Sequence, residues 1–180
     1  IDGVKPGLKI DFDLVKQDLL LRRPGAIGTT PRVEKDELII TSGIFNDFTT
    51  GSPLNIMIKN ENTISKDYSH LVNKPRPGHA DFVASKKYNG FQDYRGGGRF
   101  SGRLTTPIVV AGSIAKQMLP YSFSNKLIQV GSLKDMTKLD EYLKDIVNKQ
   151  DSVGGIIEVR VSNMDVGLGE PILKKLDSKI

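Results

Sequence analysis

The apolar side chains Leu104, Ile108, Val109, Ala111, Ile114, Ala115, Met118 and Leu119 predict a helix over residues 101–119 that is apolar nearly all round. Pro107 fits it only in the first turns, where the missing N–H costs nothing. Such a helix must be covered on most sides, so the rest of the chain has to supply layers around it. The chain can do this: 38% of its 180 residues are apolar, enough for a real core in one domain or in one large piece of a bigger one.

The remaining pattern mixes short helices and strands. Asp11 or Asp13 caps a predicted helix that carries Phe12, Val15, Leu19 and Leu20 at helical spacing and stops at Pro24 and Gly25. Residues 38–41 and 54–59 read as an antiparallel pair, joined by a loop holding Gly43, Asp47, Thr49, Thr50 and Gly51. Residues 60–73 are polar and read as loop, and residues 80–88 as a short helix ended by Asn89 and Gly90. A strand at 127–131, an amphipathic helix at 138–148 with Leu139, Tyr142, Leu143, Ile146 and Val147 inward, and a strand at 155–162 with Ile157, Val159 and Val161 inward follow. Residues 167–171 form a turn, after which Ile172, Leu173 and Leu176 begin a helical pattern. No βαβ rhythm and no linker interrupt this order, so the expectation is one α+β domain, 1–180, with antiparallel sheet.

Chemistry concentrates between Arg76 and Arg103. Arg76-Pro77-Gly78-His79-Ala80-Asp81 and Tyr94-Arg95-Gly96-Gly97-Gly98-Arg99-Phe100-Ser101-Gly102-Arg103 bring together four arginines, a histidine, a serine and three consecutive glycines. Bare glycine amides can approach an anion closely while guanidinium forks take its oxygens in pairs. A solvated glycine loop is the plain alternative, and the convergence of arginines, glycines, His79 and a helix start favours an anion site. His79 reads either as a structural histidine or as a proton or hydrogen-bond donor to an anion, whereas His70 sits in polar surroundings and reads as a surface residue. Arg22 and Arg23 end the first helix, where cations complement its dipole without any ligand.

Several classes are excluded or unsupported. Without cysteine there is no disulfide framework, thiolate nucleophile or cysteine metal site, which suits a reducing compartment and makes the cytoplasm the expected location. No apolar run reaches the roughly 20 residues needed to span a bilayer. Two distant histidines lack metal-ligand spacing, and neither a nucleophile elbow, a dinucleotide fingerprint nor a P-loop is present. A net charge of +5 suits an anionic small molecule or a nucleic acid equally.

These residues resemble the chorismate synthase family. Its signatures Arg-Pro-Gly-His-Ala-Asp and Asp-Tyr-Arg-Gly-Gly-Gly-Arg-x-Ser stand at 76–81 and 93–101. Around them, in the family's order, come Asp2-Gly3-Val4, Arg22-Arg23-Pro24-Gly25, Ser42-Gly43-Ile44-Phe45, Thr49-Thr50-Gly51, Ala111-Gly112-Ser113-Ile114-Ala115-Lys116, Asp151-Ser152-Val153-Gly154-Gly155 and Gly167-Leu168-Gly169-Glu170-Pro171. The resemblance implies antiparallel sheets sandwiching helices, a homotetramer, and a lyase of the shikimate pathway that eliminates phosphate from 5-enolpyruvylshikimate 3-phosphate to give chorismate. Reduced FMN is implied as cofactor without net redox, with NADPH one source of its electrons. His79 matches the histidine beside the flavin; Arg22, Arg76, Gly102 and Arg103 match substrate-binding positions; and Arg99, Phe100 and Ser101 match the triplet that contacts FMN.

Departures from the pattern are local. Phe100, Gly102 and Leu104 replace a serine, an alanine and a glutamate of the family, and Ala26-Ile27-Gly28 lacks an anion-binding arginine, for which Arg32 is a weak replacement candidate. On this resemblance the chain is expected to be the first half of the fold, without the leading Gly-x-Ser-His-Gly segment and without the C-terminal half, and inactive by itself. The rival expectation is a basic nucleic-acid-binding module using residues 95–103, with Phe91, Tyr94 and Phe100 stacking on bases; the interspersed acids Glu34, Asp81 and Asp93 weigh against it.

Overall fold

The computed structural model describes residues 1–29, 35–60 and 65–179. Arg32 and Glu34 therefore lie outside the described residues. The chain forms two compact units, Ile1–Gly25 with Thr29–Met118, and Ala26–Gly28 with Leu119–Ile180.

In the first unit, Asp11 starts α1 (Phe12–Arg22) by accepting the N–H groups of Asp13 and Leu14 at 2.9 and 3.2 Å. That satisfies donors the first helical turn would otherwise leave open. Val15 and Leu19 turn inward as expected, but Leu20 is exposed, since it lies about 100° round the helix from Leu19. β1 (Leu38–Ser42) pairs antiparallel with the last of the unit's strands, β4 (Asn55–Ile58), placing Leu38 opposite Ile58 and Ile40 opposite Ile56. The loop expected between them contains a further hairpin, β2 (Ile44–Phe45) and β3 (Phe48–Thr49), turning at Asn46 and Asp47 with φ of 47° and 67°. Two left-handed residues are what a tight right-twisted hairpin requires. Buried Thr49 ties this hairpin to the N-terminal segment, its hydroxyl donating to Lys5 O at 2.6 Å and accepting from Leu8 N at 2.9 Å.

Residues 60–73 are not all loop. Ser65–Val72 winds into a 3₁₀ run that buries Tyr68 and Leu71, two apolar anchors three residues apart in an otherwise polar stretch. After it come α2 (Asp81–Lys87), one 3₁₀ turn at Arg95–Phe100, a second at Gly102–Leu104, and α3 (Thr105–Gln117). The long helix expected from residue 101 thus begins only at Thr105, because Ser101 caps the 3₁₀ turn by accepting the Arg103 N–H at 3.2 Å.

α3 packs on α1. Val110 and Ile114 join Ile10, Val15, Leu19 and Leu54 in the core, while Lys116 meets Asp18 at 2.6 Å and the Gln117 amide brackets the Asp11 backbone at 2.8 and 3.1 Å. Only one face of α3 is covered, contrary to the all-round burial expected: Ile108 is exposed, as is Leu104 in the turn before it. α1 and the β1–β4 pair reach one side of this helix alone.

In the second unit, β5 (Ser122–Val130) pairs antiparallel with a strand beyond α4 (Leu139–Asn148), namely β6 (Gly155–Ser162); α5 (Ile172–Asp177) follows. Ser122 faces Ser162 and Val130 faces Gly155. The expected inward face of β6 is not covered, as Ile157 and Val159 are 65% and 66% exposed. On α4, Leu139, Tyr142, Leu143 and Ile146 are half-buried and Val147 is exposed. Two strands with α4 and the six-residue α5 do not enclose a core. The whole is α+β with small antiparallel sheets, as the sequence pattern predicts.

Candidate active site

The Arg76–Asp81 segment folds into a turn with its own charge network. Gly78, at φ 69°, lets the chain reverse, and His79 N–H reaches back to Arg76 O at 3.3 Å. Asp81 then opens α2, where a helix N-terminus favours a carboxylate. Its Oδ2 accepts the Arg76 backbone N–H at 3.0 Å and Nε at 2.8 Å, while Oδ1 accepts Arg76 Nη2 at 3.0 Å. This forked pairing holds the Asp81 carboxyl far below the ordinary carboxylate range and raises the Arg76 guanidinium further.

The same carboxylate orients His79, whose Nδ1 lies 2.7 Å from Asp81 Oδ1. With the Nδ1 proton donated there, Nε2 is left to act on whatever adjoins it. Arg76 Nη2 sits 3.2 and 3.3 Å from the two ring nitrogens. Gly97 backs the ring: it is buried at φ 80°, and a Cβ built on it would lie 3.4 Å from His79 Nε2. The triple glycine is therefore a folded 3₁₀ turn against the histidine, not a loose loop.

Beside this network lies a cleft of about 360 Å³, lined by Tyr88, Phe91, Tyr94, Arg99 and Phe100 together with Asp81, Gln92 and Gly97. Gln92 Oε1 is buried there without a hydrogen-bond partner. Asp93, also on this wall, is held down to about 2 by Arg95, which grips it through Nε and Nη2 at 2.8 Å each.

A second cluster gathers Arg22, Gly102 and Arg103. Arg22 Nε donates to Thr105 Oγ1 at 3.1 Å and Nη2 to Gly102 O at 3.4 Å, and its Nη1 stands 4.0 Å from Asp36 Oδ2. Arg103 pairs through Nη1 with Asp36 Oδ1 and through Nη2 with Lys59 O at 3.2 Å. Arg103 also borders a cleft of about 330 Å³ with Asn60, Arg95, Ser101 and Thr106, and Thr106 Oγ1 is buried there without a partner.

The candidate residues thus fall into two groups. His79 and Arg76 share one network, with Arg99 and Phe100 on the aromatic cleft next to it; Arg22, Gly102 and Arg103 share the other, with Ser101 on its cleft. The family resemblance implies Arg76 and Arg103 on the substrate and Arg99 to Ser101 on the flavin; in the fold Arg76 engages His79 and Asp81, and Ser101 caps the turn that leads to Arg103. Asp36 and Thr105 were missed. A lone aspartate before Glu37 carries no local signal that it will meet an arginine 67 residues away.

Fold and site together are those of an α+β protein that gathers paired arginines, a glycine turn and an oriented histidine. The chain belongs to the chorismate synthase family, whose model, described as chorismate synthase, matches residues 1–180. It is 49% identical to chorismate synthase of Chitinophaga pinensis over 182 residues, which takes in 100% of this chain and 54% of that protein. Chorismate synthases of Christiangramia forsetii and Wolinella succinogenes are 43% and 40% identical, again over 100% of this chain and over 58% and 56% of their own length. A crystal structure of chorismate synthase superposes with a TM-score of 0.65 at 21% identity, covering 91% of this chain and 52% of that one, a likeness of fold. The chain spans about half the length of the curated relatives it matches.

Proposed function

We propose that the protein is a chorismate synthase, a carbon–oxygen lyase that eliminates phosphate from 5-enolpyruvylshikimate 3-phosphate to give chorismate. The observation that carries this reading is the juxtaposition of His79, fixed by Asp81, with Arg76, inside a family whose model matches the whole chain. A substrate with one phosphate and two carboxylates needs cations already in place, because reorganising them during the reaction would forfeit their stabilisation of the departing phosphate. Arg22, Arg76 and Arg103 supply such forks.

The residues present fit a flavin. The cleft walled by Tyr88, Phe91, Tyr94 and Phe100 offers flat apolar faces, Arg99 a cation for a phosphate, and Gln92 Oε1 an acceptor still without a donor. Reduced FMN held there would supply electron density that helps the carbon–oxygen bond to break, with no net redox. His79, with Nδ1 committed to Asp81, holds or donates a proton at Nε2. Asp81 keeps the ring in that orientation, and Phe100 stands on the cleft wall where the family has a hydroxyl. NADPH as reductant, a homotetramer and a cytoplasmic location complete the proposal; among the described residues no helix is long and apolar enough to cross a membrane. The nucleic-acid alternative, which relies on residues 95–103, is disfavoured because Arg95 already pairs with Asp93 beside it.

Anaerobic titration of the full-length protein with reduced FMN tests this. Flavin binding that tightens when 5-enolpyruvylshikimate 3-phosphate is added supports it. Indifference to that compound, with salt-sensitive oligonucleotide binding instead, contradicts it.

A further inference from the structure

Asp36 is a buried carboxylate between two arginines, its side chain only 3% exposed. A charge so far removed from water persists only when it is paired and hydrogen-bonded, and each of its oxygens serves a different arginine. Oδ1 takes Arg103 Nη1, and Oδ2 faces Arg22 Nη1 at 4.0 Å. Its backbone sits at φ 52°, a conformation aspartate tolerates but does not prefer, so the local chain is bent to put the carboxylate there. Each arginine is then fixed at a further point: Arg22 by Thr105 Oγ1 and Gly102 O, Arg103 by Lys59 O. The three attachments come from the first residue of α3, the turn before it and the residue after β4.

We propose that Asp36 is a positioning residue that holds Arg22 and Arg103 as one preset pair of forks for an anionic substrate. One negative charge between two positive ones leaves the pair with a net positive charge to offer while cancelling the repulsion that would spread the guanidiniums apart. Preset forks lose little side-chain freedom when the anion arrives, so Asp36 acts through binding more than through the chemical step. The proposal rests on the chorismate synthase reading for its substrate, and the test separates the two.

Asp36→Asn keeps the shape and removes the charge. In the full-length protein, assayed anaerobically with reduced FMN and 5-enolpyruvylshikimate 3-phosphate, it is expected to raise KM about tenfold or more while kcat changes by less than about threefold. Asp36→Glu, which keeps the charge but displaces it, falls between. Arg103→Lys also raises KM, and adding Asp36→Asn to it raises KM by clearly less than the product of the two single effects, because the two changes share the Asp36–Arg103 interaction while the Arg22 contact is lost only with Asp36. A purely structural aspartate would instead give independent, multiplying losses. Unchanged KM in Asp36→Asn, or full multiplication in the double variant, overturns the proposal; should Asp36→Asn fail to fold, unchanged KM in Asp36→Glu does the same. The Nε–H signals of Arg22 and Arg103 in nuclear magnetic resonance provide a readout independent of turnover. Inorganic phosphate is expected to shift both in the wild type, and to shift them only at about tenfold higher concentration in Asp36→Asn. If the wild type does not turn over the substrate yet shows this difference, the functional reading fails and the positioning role stands. If it turns over and neither readout responds to Asp36→Asn, the positioning role fails alone.

Discussion

His79 Nδ1 and Asp81 Oδ1 lie 2.7 Å apart, and the same Asp81 carboxylate grips the Arg76 guanidinium at 2.8 and 3.0 Å. One side chain at the start of a short helix therefore sets both the direction of a guanidinium fork and that of an imidazole. The six residues from Arg76 to Asp81 form this unit by themselves.

The Asp81 network has a definite pH signature. Arg76 depresses the Asp81 carboxyl, so folding is favoured by this group when it is charged in both states, and the contribution is lost as pH falls through its folded value. Its ordinary value is 3.8. The Tm difference between wild type and Asp81→Asn is expected to stay constant from about pH 5 to pH 8 and to narrow only below about pH 4. A difference that already narrows near neutrality would show that the pairing does not hold.

His79→Ala should lower turnover about a hundredfold, the ordinary worth of a positioned proton donor, with the far-ultraviolet circular dichroism unchanged. Wild-type kinetics in that variant would remove its catalytic assignment.

Glycines in the central stretch should respond unequally to a methyl group. Gly98 has φ 50° and faces the Asp93 carbonyl so closely that backbone would have to move, so Gly98→Ala is expected to cost about 2 kcal/mol and to lower Tm by several degrees. Gly102 has nothing within 4 Å of the added atom, and Gly102→Ala should be neutral or stabilising by up to about 1 kcal/mol. Equal losses at both positions, read by thermal melts, would contradict the backbone described here.

Much of this was legible in the sequence because it is local. Asp11 as a cap, Asn89 and Gly90 as a helix stop, and Val15 and Leu19 as core residues depend on neighbours a few residues away. β6 was found in full for the same reason. The first half of β5 was not: Ser122, Ser124, Asn125 and Lys126 are poor strand formers, and they extend only because β6 pairs with them. The β2–β3 hairpin did leave a signal, Asn46-Asp47 between Ile44-Phe45 and Phe48-Thr49, that a stricter search for two-residue turns would have caught. At the site, the arginines were legible and their grouping was not, since Asp36 is joined to Arg22 and Arg103 by chain topology alone.

Core packing gives a further check. Ile114 is fully buried between α1 and the β1–β4 pair, so Ile114→Ala should cost about 2–5 kcal/mol. Exposed Leu21, on the outer side of α1, should lose less than about 0.5 kcal/mol on the same change. Comparable losses in urea unfolding would mean that the core is misplaced.

The most direct test of the proposed function is a single anaerobic reaction of the full-length protein with 5-enolpyruvylshikimate 3-phosphate and reduced FMN, following chorismate, inorganic phosphate and the flavin spectrum together. Chorismate synthase activity predicts chorismate and phosphate in equal amounts, many turnovers per protein, and flavin that is still reduced at the end. Phosphate without chorismate, no phosphate at all, or one flavin oxidised per product would contradict it.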